Sequence, residues 1–365
     1  MAQDRRWVQR LIDEERAPAL WLAAVAVLAV AWANIVGPEA VHSVRMLGSS
    51  VMPLEAFVSE GLLVIFFFVA GLELRHELTK GSLNNARAAA IPVIAAALGM
   101  LTPALLFIAT APRGARGAWG VPMATDLPLA LALVGIAGRG LPSEFRAFLL
   151  SLAIVDDALS ILVIALAFGT APSLLWLGVT ALLVVAYATA QRRSTRLAGV
   201  IAVLAWLAML RTGIHPTVLG VVLGLTTTRH TDALRERWQP FSAFIAVPAF
   251  VALALAVPLS SEDVNGPLIG SMLFARIIGK PLGIWVGAMA ARALLRPRGT
   301  MPGRLYAAAG SVAGLGFSVS LLFADLSLHD PLLGQTKFAV VVTLAAATVV
   351  GSVALRPLHA EATGR

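Results

Sequence analysis

Long apolar stretches recur along the whole chain and limit the folds it can adopt. About twelve windows of roughly 20 residues carry few charges and are separated by Gly, Pro or Arg. They lie at 18–36, 56–74, 88–111, 117–138, 146–169, 172–190, 197–210, 214–228, 239–259, 267–291, 305–326 and 338–355. Only 13% of the residues are charged, against about 25% in soluble domains. The sequence therefore predicts an all-α membrane protein with about twelve transmembrane helices.

The distribution of basic residues predicts the orientation. The net charge is +8, but Lys and Arg form short clusters between apolar windows, so no nucleic-acid partner is expected. With a cytoplasmic N-terminus, most of these clusters fall in cytoplasmic segments, as the positive-inside rule requires. We expect a multi-pass protein of the bacterial cytoplasmic (inner) membrane, surrounded by lipid, with both termini cytoplasmic. Cysteine is absent, which excludes disulfides and thiol chemistry.

Two three-window blocks, 88–169 and 267–355, have related features. They are separated by an odd number of windows and so run in opposite orientations. The middle window of each contains helix breakers: Pro122, Pro128, Gly310, Gly314 and Gly316. Paired interruptions in inverted halves are typical of secondary transporters. We predict one transmembrane transporter domain, 1–365, whose core is these inverted repeats and whose other helices form an interface or panel bundle.

Four ionisable residues lie deep within apolar windows: Asp126, Asp156, Asp157 and Lys280. Each ionised side chain near a helix centre costs about 2.5–3.5 kcal/mol on insertion scales. A chain this apolar is not expected to carry four ionisable residues deep in its spans unless they have a function. We expect them to form a functional site.

Adjacent carboxyls at Asp156 and Asp157 suit cation/proton exchange. Burial and mutual repulsion favour the protonated form, and the two groups titrate as a coupled unit. A hard cation such as Na⁺ prefers carboxylate and hydroxyl oxygens and displaces protons from them. Both residues are candidate Na⁺ ligands and proton carriers. The alternative is a hydrogen-bonding pair between helices.

The other two deep residues have both structural and functional interpretations. Asp126 lies between two prolines, where it either balances half-helix N-termini or caps a short helix, and Thr125 can offer a hydroxyl to the ion. Lys280 either pairs with Asp156 or balances half-helix C-termini. Structural neutralisation by Lys280 is as good an interpretation as proton carriage.

Four further candidates have weaker support: three lie at window ends, and Arg276 lies inside a window, one turn from Lys280. Glu73 and Glu77 belong to a charged cluster that is either a cation funnel or a pH sensor, although a solvated helix end explains it better. His215 precedes Pro216, where a structural role is commoner than a pH switch. Arg276 is expected to snorkel or to pair with a carboxylate.

Six spaced motifs resemble those of the NhaA-type sodium/proton antiporters, in the same order over nearly the whole chain. They are Gly71-Leu72-Glu73-Leu74-Arg75-His76-Glu77-Leu78 with Gly81-Ser82-Leu83, Ala124-Thr125-Asp126, Ala153-Ile154-Val155-Asp156-Asp157, Gly213-Ile214-His215, Gly279-Lys280-Pro281-Leu282-Gly283 and Gly314-Leu315-Gly316-Phe317-Ser318. NhaA itself is among the transporters that exemplify the inverted-repeat pattern.

The resemblance implies twelve helices with two crossed, discontinuous ones, and electrogenic exchange of Na⁺ or Li⁺ for protons. It implies that Asp157 is the principal cation ligand and that Asp156 carries a proton and pairs with Lys280. It places Asp126 and Thr125 at the helix crossing. No cofactor and no enzymatic activity are expected. A homodimer stays open, because the first external loop is shorter than the family's dimerising hairpin.

Three positions depart from the family pattern: Pro128 replaces a small residue, Leu159 a glycine and Leu253 an asparagine. They leave open a Na⁺- or H⁺-coupled transporter of another solute on the same fold, or a transport-inactive, antiporter-like sensor. An intramembrane aspartyl protease is a more distant alternative. It requires a Gly-x-Gly-Asp motif that the chain lacks, and it leaves Lys280 unexplained.

Overall fold

The computed structural model describes residues 2–50, 52–138, 141–169, 171–257, 264–295 and 301–363. Within these ranges the chain is almost entirely helical, with one short antiparallel pair of strands, β1 and β2. The elements in chain order are α1 Ala2–Val36, α2 Pro38–Arg45, β1 Gly48–Ser49, β2 Met52–Pro53, α3 Leu54–Thr79, a 3₁₀ turn Ser82–Asn84, α4 Ala86–Thr110, a 3₁₀ helix Arg113–Met123, α5 Leu127–Ala137, α6 Ser143–Ala167, α7 Leu174–Ala190, α8 Thr195–Met209, α9 Thr217–Thr226, α10 Thr231–Leu255, α11 Gly266–Leu295, α12 Gly303–Ala313, α13 Ser318–Ser327 and α14 Leu332–Thr363.

The helices of the described ranges match the predicted apolar windows. Seven are long and apolar enough to cross a membrane. Two further spans are broken: the 3₁₀ helix with α5, bent by 60°, and α12 with α13, bent by 59°. Three shorter apolar helices, α7 to α9, account for the remaining windows. The predicted all-α membrane fold is confirmed, with its interruptions in the expected windows.

Helix boundaries differ from the windows where local chemistry overrides hydropathy. The α9 helix begins at Thr217, not at 214, because His215 precedes a proline and is disfavoured from the helical region. The α14 helix continues to Thr363, past the last apolar residues, since backbone hydrogen bonding does not stop where hydropathy falls.

The chain folds into two compact units. The first comprises Met1–Ala24, Ser82–Asp157 and Val257–Arg365. In it α11 packs along α4 and against α12, while the 3₁₀ helix Arg113–Met123 packs on α4 and α13. This unit contains both broken spans. The assignment of 88–169 and 267–355 to core repeats stays a prediction.

The second unit comprises Val25–Gly81 and Ala158–Ala256. In it α3 and α9 approach closely: a Cβ added at Gly224 would lie 2.7 Å from the Gly71 Cα atom, so only glycine fits. Helices α7, α8 and α9 share an apolar cluster, which comprises Tyr187, Ala190, Ala198, Ala205, Met209, Leu219 and Leu223.

Candidate functional site

The first helix break lies at Ala124–Asp126, inside the predicted window. Ala124 (φ −71°, ψ 146°) and Asp126 (φ −114°, ψ 102°) are extended. Pro122 lies in the last turn of the 3₁₀ helix and has no N–H to donate. Pro128 lies in the first turn of α5, where no intrahelical donor is needed, so this departure from the family pattern suits the break.

The second break, between Ala313 and Ser318, contacts the first directly. The Asp126 N–H donates to the Leu315 carbonyl at 2.6 Å. The Thr125 hydroxyl donates to the Ala313 carbonyl at 2.9 Å. The two broken spans therefore meet at their interruptions, and groups freed by one break are hydrogen-bonded by the other.

Asp126 is buried, and it caps a helix other than its own. Its Oδ2 accepts hydrogen bonds from the Ser318 N–H at 3.1 Å and from the Ser318 hydroxyl at 2.6 Å. Ser318 is the first residue of α13, so the carboxylate lies at the positive N-terminal end of that half-helix. This position is compatible with both interpretations of Asp126, capping and charge balance, which stay predictions.

Lys280 and Asp156 form a buried ion pair. The Lys280 Nζ atom lies 2.9 Å from Asp156 Oδ2, and 1% and 2% of the two side chains are exposed. Lys280 also donates to the carbonyl of Met123, at the end of the 3₁₀ helix. The ammonium therefore contacts both a carboxylate on α6 and a carbonyl at the end of the 3₁₀ helix.

Asp157, next to Asp156 on α6, is only half-buried and interacts electrostatically with Lys280. Thr125 is 2% exposed, and its hydroxyl proton is committed to Ala313. In the described ranges no group of three or more His, Asp or Glu side chains could hold a resident metal ion.

Arg276 is a buried charge whose hydrogen-bond partners the sequence did not predict. It lies in a π-helical segment of α11, Phe274–Gly279, and is 0% exposed, so it does not snorkel. The other alternative, a carboxylate partner, fits Asp126, which interacts with it electrostatically. Its guanidinium donates to the carbonyls of Gly316 (2.5 Å) and Val121 (2.6 Å). It also donates to the Ser320 hydroxyl at 2.6 Å. Its spacing, one turn before Lys280, was the available signal.

The lower-ranked candidates lie in the second unit. Glu73 interacts electrostatically with Arg235 and with Glu77, which is buried. Nearby on α3 and α10, Asp232 lies 3.0 Å from His76 Nδ1 and 3.2 Å from Lys80 Nζ.

His215 is placed at the start of α9. Its Nδ1 atom lies 2.8 Å from the Thr217 hydroxyl, a local contact at the helix end.

Comparison with known proteins identifies a matching family model and several similar relatives. A family model described as Na⁺/H⁺ antiporter 1 matches residues 9–355. The Na⁺/H⁺ antiporter NhaA 1 of Saccharopolyspora erythraea is 38% identical, over 92% of this chain and 87% of that protein. NhaA of Nocardia farcinica is 40% identical, over 83% and 78%. NhaA 2 of Rhodococcus jostii is 37% identical, over 92% and 89%.

Proposed function

The chain belongs to the Na⁺/H⁺ antiporter 1 family, and we propose that it exchanges Na⁺ or Li⁺ for protons by alternating access. Its relatives are named Na⁺/H⁺ antiporters, so a sodium/proton antiporter is the function best supported for this chain. A transporter of this family is not expected to be an enzyme, and Na⁺ is its cargo rather than a cofactor.

The observation that carries the proposal is the buried Lys280–Asp156 pair with half-buried Asp157 beside it. Buried ion pairs are not favoured for stability over apolar packing, so their presence needs another reason. Competition between a proton and a cation supplies one, because a cation bound at the carboxylates displaces their protons and weakens the hold on Lys280.

We assign the roles by residue. Asp157 is the principal Na⁺ ligand, since it is the more accessible carboxylate. Asp156 is the second ligand and, with Lys280, a proton carrier. Because these groups together hold more than one proton, more than one H⁺ can move for each Na⁺, and the exchange is electrogenic. Thr125 supplies a neutral oxygen, while Asp126 and Lys280 balance charge at the helix crossing.

Two further proposals concern the membrane location of the protein and the roles of the charged residues at window ends. The basic clusters support a bacterial cytoplasmic-membrane protein with both termini inside. Glu73 and Glu77 are proposed to attract cations toward the protein or to sense pH. His215 is proposed as a weaker candidate for pH sensing, because its ring nitrogen is hydrogen-bonded to the nearby Thr217 hydroxyl.

Proteoliposomes test the exchange directly. In vesicles that carry a pH gradient, Na⁺ should drive proton flux through the wild-type protein, and Asp157→Asn should abolish that flux. Organic anions should not replace or compete with Na⁺. Exchange that persists in folded Asp157→Asn protein, or flux that depends on an organic solute, overturns the proposal.

A further inference from the structure

The crossing of the two broken spans contains a permanent positive charge that the proposed transport scheme does not use. Arg276 is fully buried, and the bonds described above join it to the end of the 3₁₀ helix at Val121 and to the second break at Gly316. A guanidinium stays protonated throughout the physiological range, so this charge does not come and go with pH.

The partners of Arg276 define its electrostatic role. Val121 lies in the last turn of the 3₁₀ helix, and Gly316 follows the end of α12, so both acceptors lie at half-helix C-termini. These ends carry partial negative charge. Asp126 balances the opposite, positive end at Ser318. Arg276 therefore balances the partial negative charge of the half-helix C-termini, and Asp126 balances the partial positive charge of the half-helix N-terminus.

Arg276 also lies close to the proposed cation site. It precedes Lys280 by one helical turn, and the two side chains bind carbonyls only two residues apart, at Val121 and Met123. At a 3₁₀ rise of about 2 Å per residue, those oxygens lie roughly 5 Å apart. Since Lys280 contacts Asp156 directly, the guanidinium is on the order of 10 Å from a cation at that carboxylate.

We propose that Arg276 sets the affinity of the antiporter for its cation: its fixed charge at the helix crossing weakens Na⁺ binding at Asp156 and Asp157, so that the ion can be released. Arg276 is thus a positioning residue that acts through the crossing and through space. This inference rests on the proposed exchange function.

The surrounding charges support this assignment. Among the described residues, Asp126 acts electrostatically on Arg276. Asp156, Asp157 and Arg276 itself act electrostatically on Lys280, so the guanidinium and the ammonium of the proposed cation site interact. On the elements packed against the π-helical segment, Arg116 hydrogen-bonds to the Ala111 carbonyl. Lys337 of α14 is paired with Asp325 at 2.6 Å.

The first test removes the charge. Removing a unit charge from roughly 10 Å away, at an effective dielectric constant of about 20–40, changes cation affinity about 4- to 16-fold. The measurement uses proteoliposomes at the alkaline pH where wild-type KM for Na⁺ no longer changes with pH, because protons no longer compete there. Under these conditions Arg276→Gln should lower KM for Na⁺ about 4- to 16-fold. Arg276→Lys keeps the charge and should hold KM within about twofold. Arg292→Gln, far along α11, is the control for charge removal and should leave KM unchanged.

A second pair of variants decides the question if Arg276→Gln does not fold. Ser320→Asp places a carboxylate beside the guanidinium and offsets its charge without removing its carbonyl bonds, so KM should fall. Ser320→Ala removes one hydrogen bond but keeps the charge, so KM should not fall. A purely structural role predicts reduced turnover with unchanged KM in all four variants, and that result overturns the proposal. So does an equal fall of KM in Arg276→Lys and Arg276→Gln.

Na⁺-dependent thermal stabilisation of the purified proteins gives the same comparison without transport. If wild-type vesicles show no exchange, the proposed function fails. The charge effect of Arg276 is then judged by whether half-maximal stabilisation moves to lower Na⁺ in Arg276→Gln and Ser320→Asp.

Discussion

The Lys280 Nζ atom lies 2.9 Å from Asp156 Oδ2, and both side chains are almost completely buried. The two residues are 124 positions apart in the chain and come from different helices. In the low-dielectric interior, the attraction between the two groups offsets part of the desolvation cost of each buried charge. The contact therefore ties the stability of the fold to the charge state of the proposed transport site.

Removing one member of this pair should cost more than removing both. Lys280→Gln should lower the free energy of unfolding by about 3 kcal/mol, because a buried carboxyl and the Met123 carbonyl lose their partner. The double variant Lys280→Gln with Asp156→Asn should recover part of that loss, with a coupling energy of at least about 1 kcal/mol. Unfolding in mild detergent measures both. Strict additivity would contradict direct coupling.

Asp126 should stabilise the crossing mainly as a cap on α13. Asp126→Asn loses the charge that faces the helix N-terminus and should reduce the free energy of unfolding by about 1–2 kcal/mol. Ser318→Ala should cost about 1 kcal/mol, since it removes only the side-chain bond. Ser352→Ala is the control, because that hydroxyl donates to the Thr348 carbonyl of its own helix. Losses that do not exceed the control would contradict the capping role.

Gly316 should not tolerate a side chain. A Cβ added there would lie 2.9 Å from the Ser320 hydroxyl and 3.0 Å from Arg276 Nη2, and closer still to the Ala124 carbonyl. Gly316→Ala should destabilise the protein by about 1–3 kcal/mol through forced repacking at the crossing. Gly178→Ala, where a Cβ meets nothing within 4 Å, should be neutral or slightly stabilising. Thermal unfolding of the two variants in detergent checks this, and equal effects would count against a tightly packed crossing.

Glu73 should act on cations at long range if the charged cluster is a funnel. Glu73→Gln should raise KM for Na⁺ about twofold at low ionic strength, and the effect should vanish in about 0.3 M choline chloride. Asp232→Asn breaks an exposed pair with Lys80 and should change the free energy of unfolding by less than about 1 kcal/mol. A salt-independent change of KM in Glu73→Gln would argue against the funnel.

Much of this architecture follows from the sequence because a bilayer leaves few choices. Apolar windows specify helices, and Pro122, Pro128 and the glycines near 310–316 specify where two of them break. The insertion cost of a charge marks Asp126, Asp156 and Lys280 as special, and the structure buries all three.

The contacts that the sequence did not reveal are those that depend on tertiary packing. The local sequence around Arg276 does not predict that it bonds to the carbonyls of residues 121 and 316. Both carbonyls are at least 40 residues away from it in the chain. Lys337 of α14 is buried, and its Nζ atom lies 2.6 Å from Asp325 Oδ1 of α13. Hydropathy counts charges along a helix, but it does not register a partner on another helix.

The roles assigned to the site residues, and the effect of Leu159 and Leu253 on substrate choice, stay predictions. Neither position lies in the crossing. The Leu253 backbone carbonyl accepts a hydrogen bond from Arg45 at 2.9 Å, a contact that any side chain at 253 would permit.

The most direct test of the account is whether Na⁺ expels protons from the purified protein. In weakly buffered detergent solution, adding Na⁺ to the wild-type protein should acidify the medium, because the cation takes the place of H⁺ at Asp156 and Asp157. Folded Asp157→Asn protein should release no protons under the same conditions. Na⁺ binding without proton release, or an unchanged release from Asp157→Asn, would contradict exchange of the two ions at one pair of carboxyls.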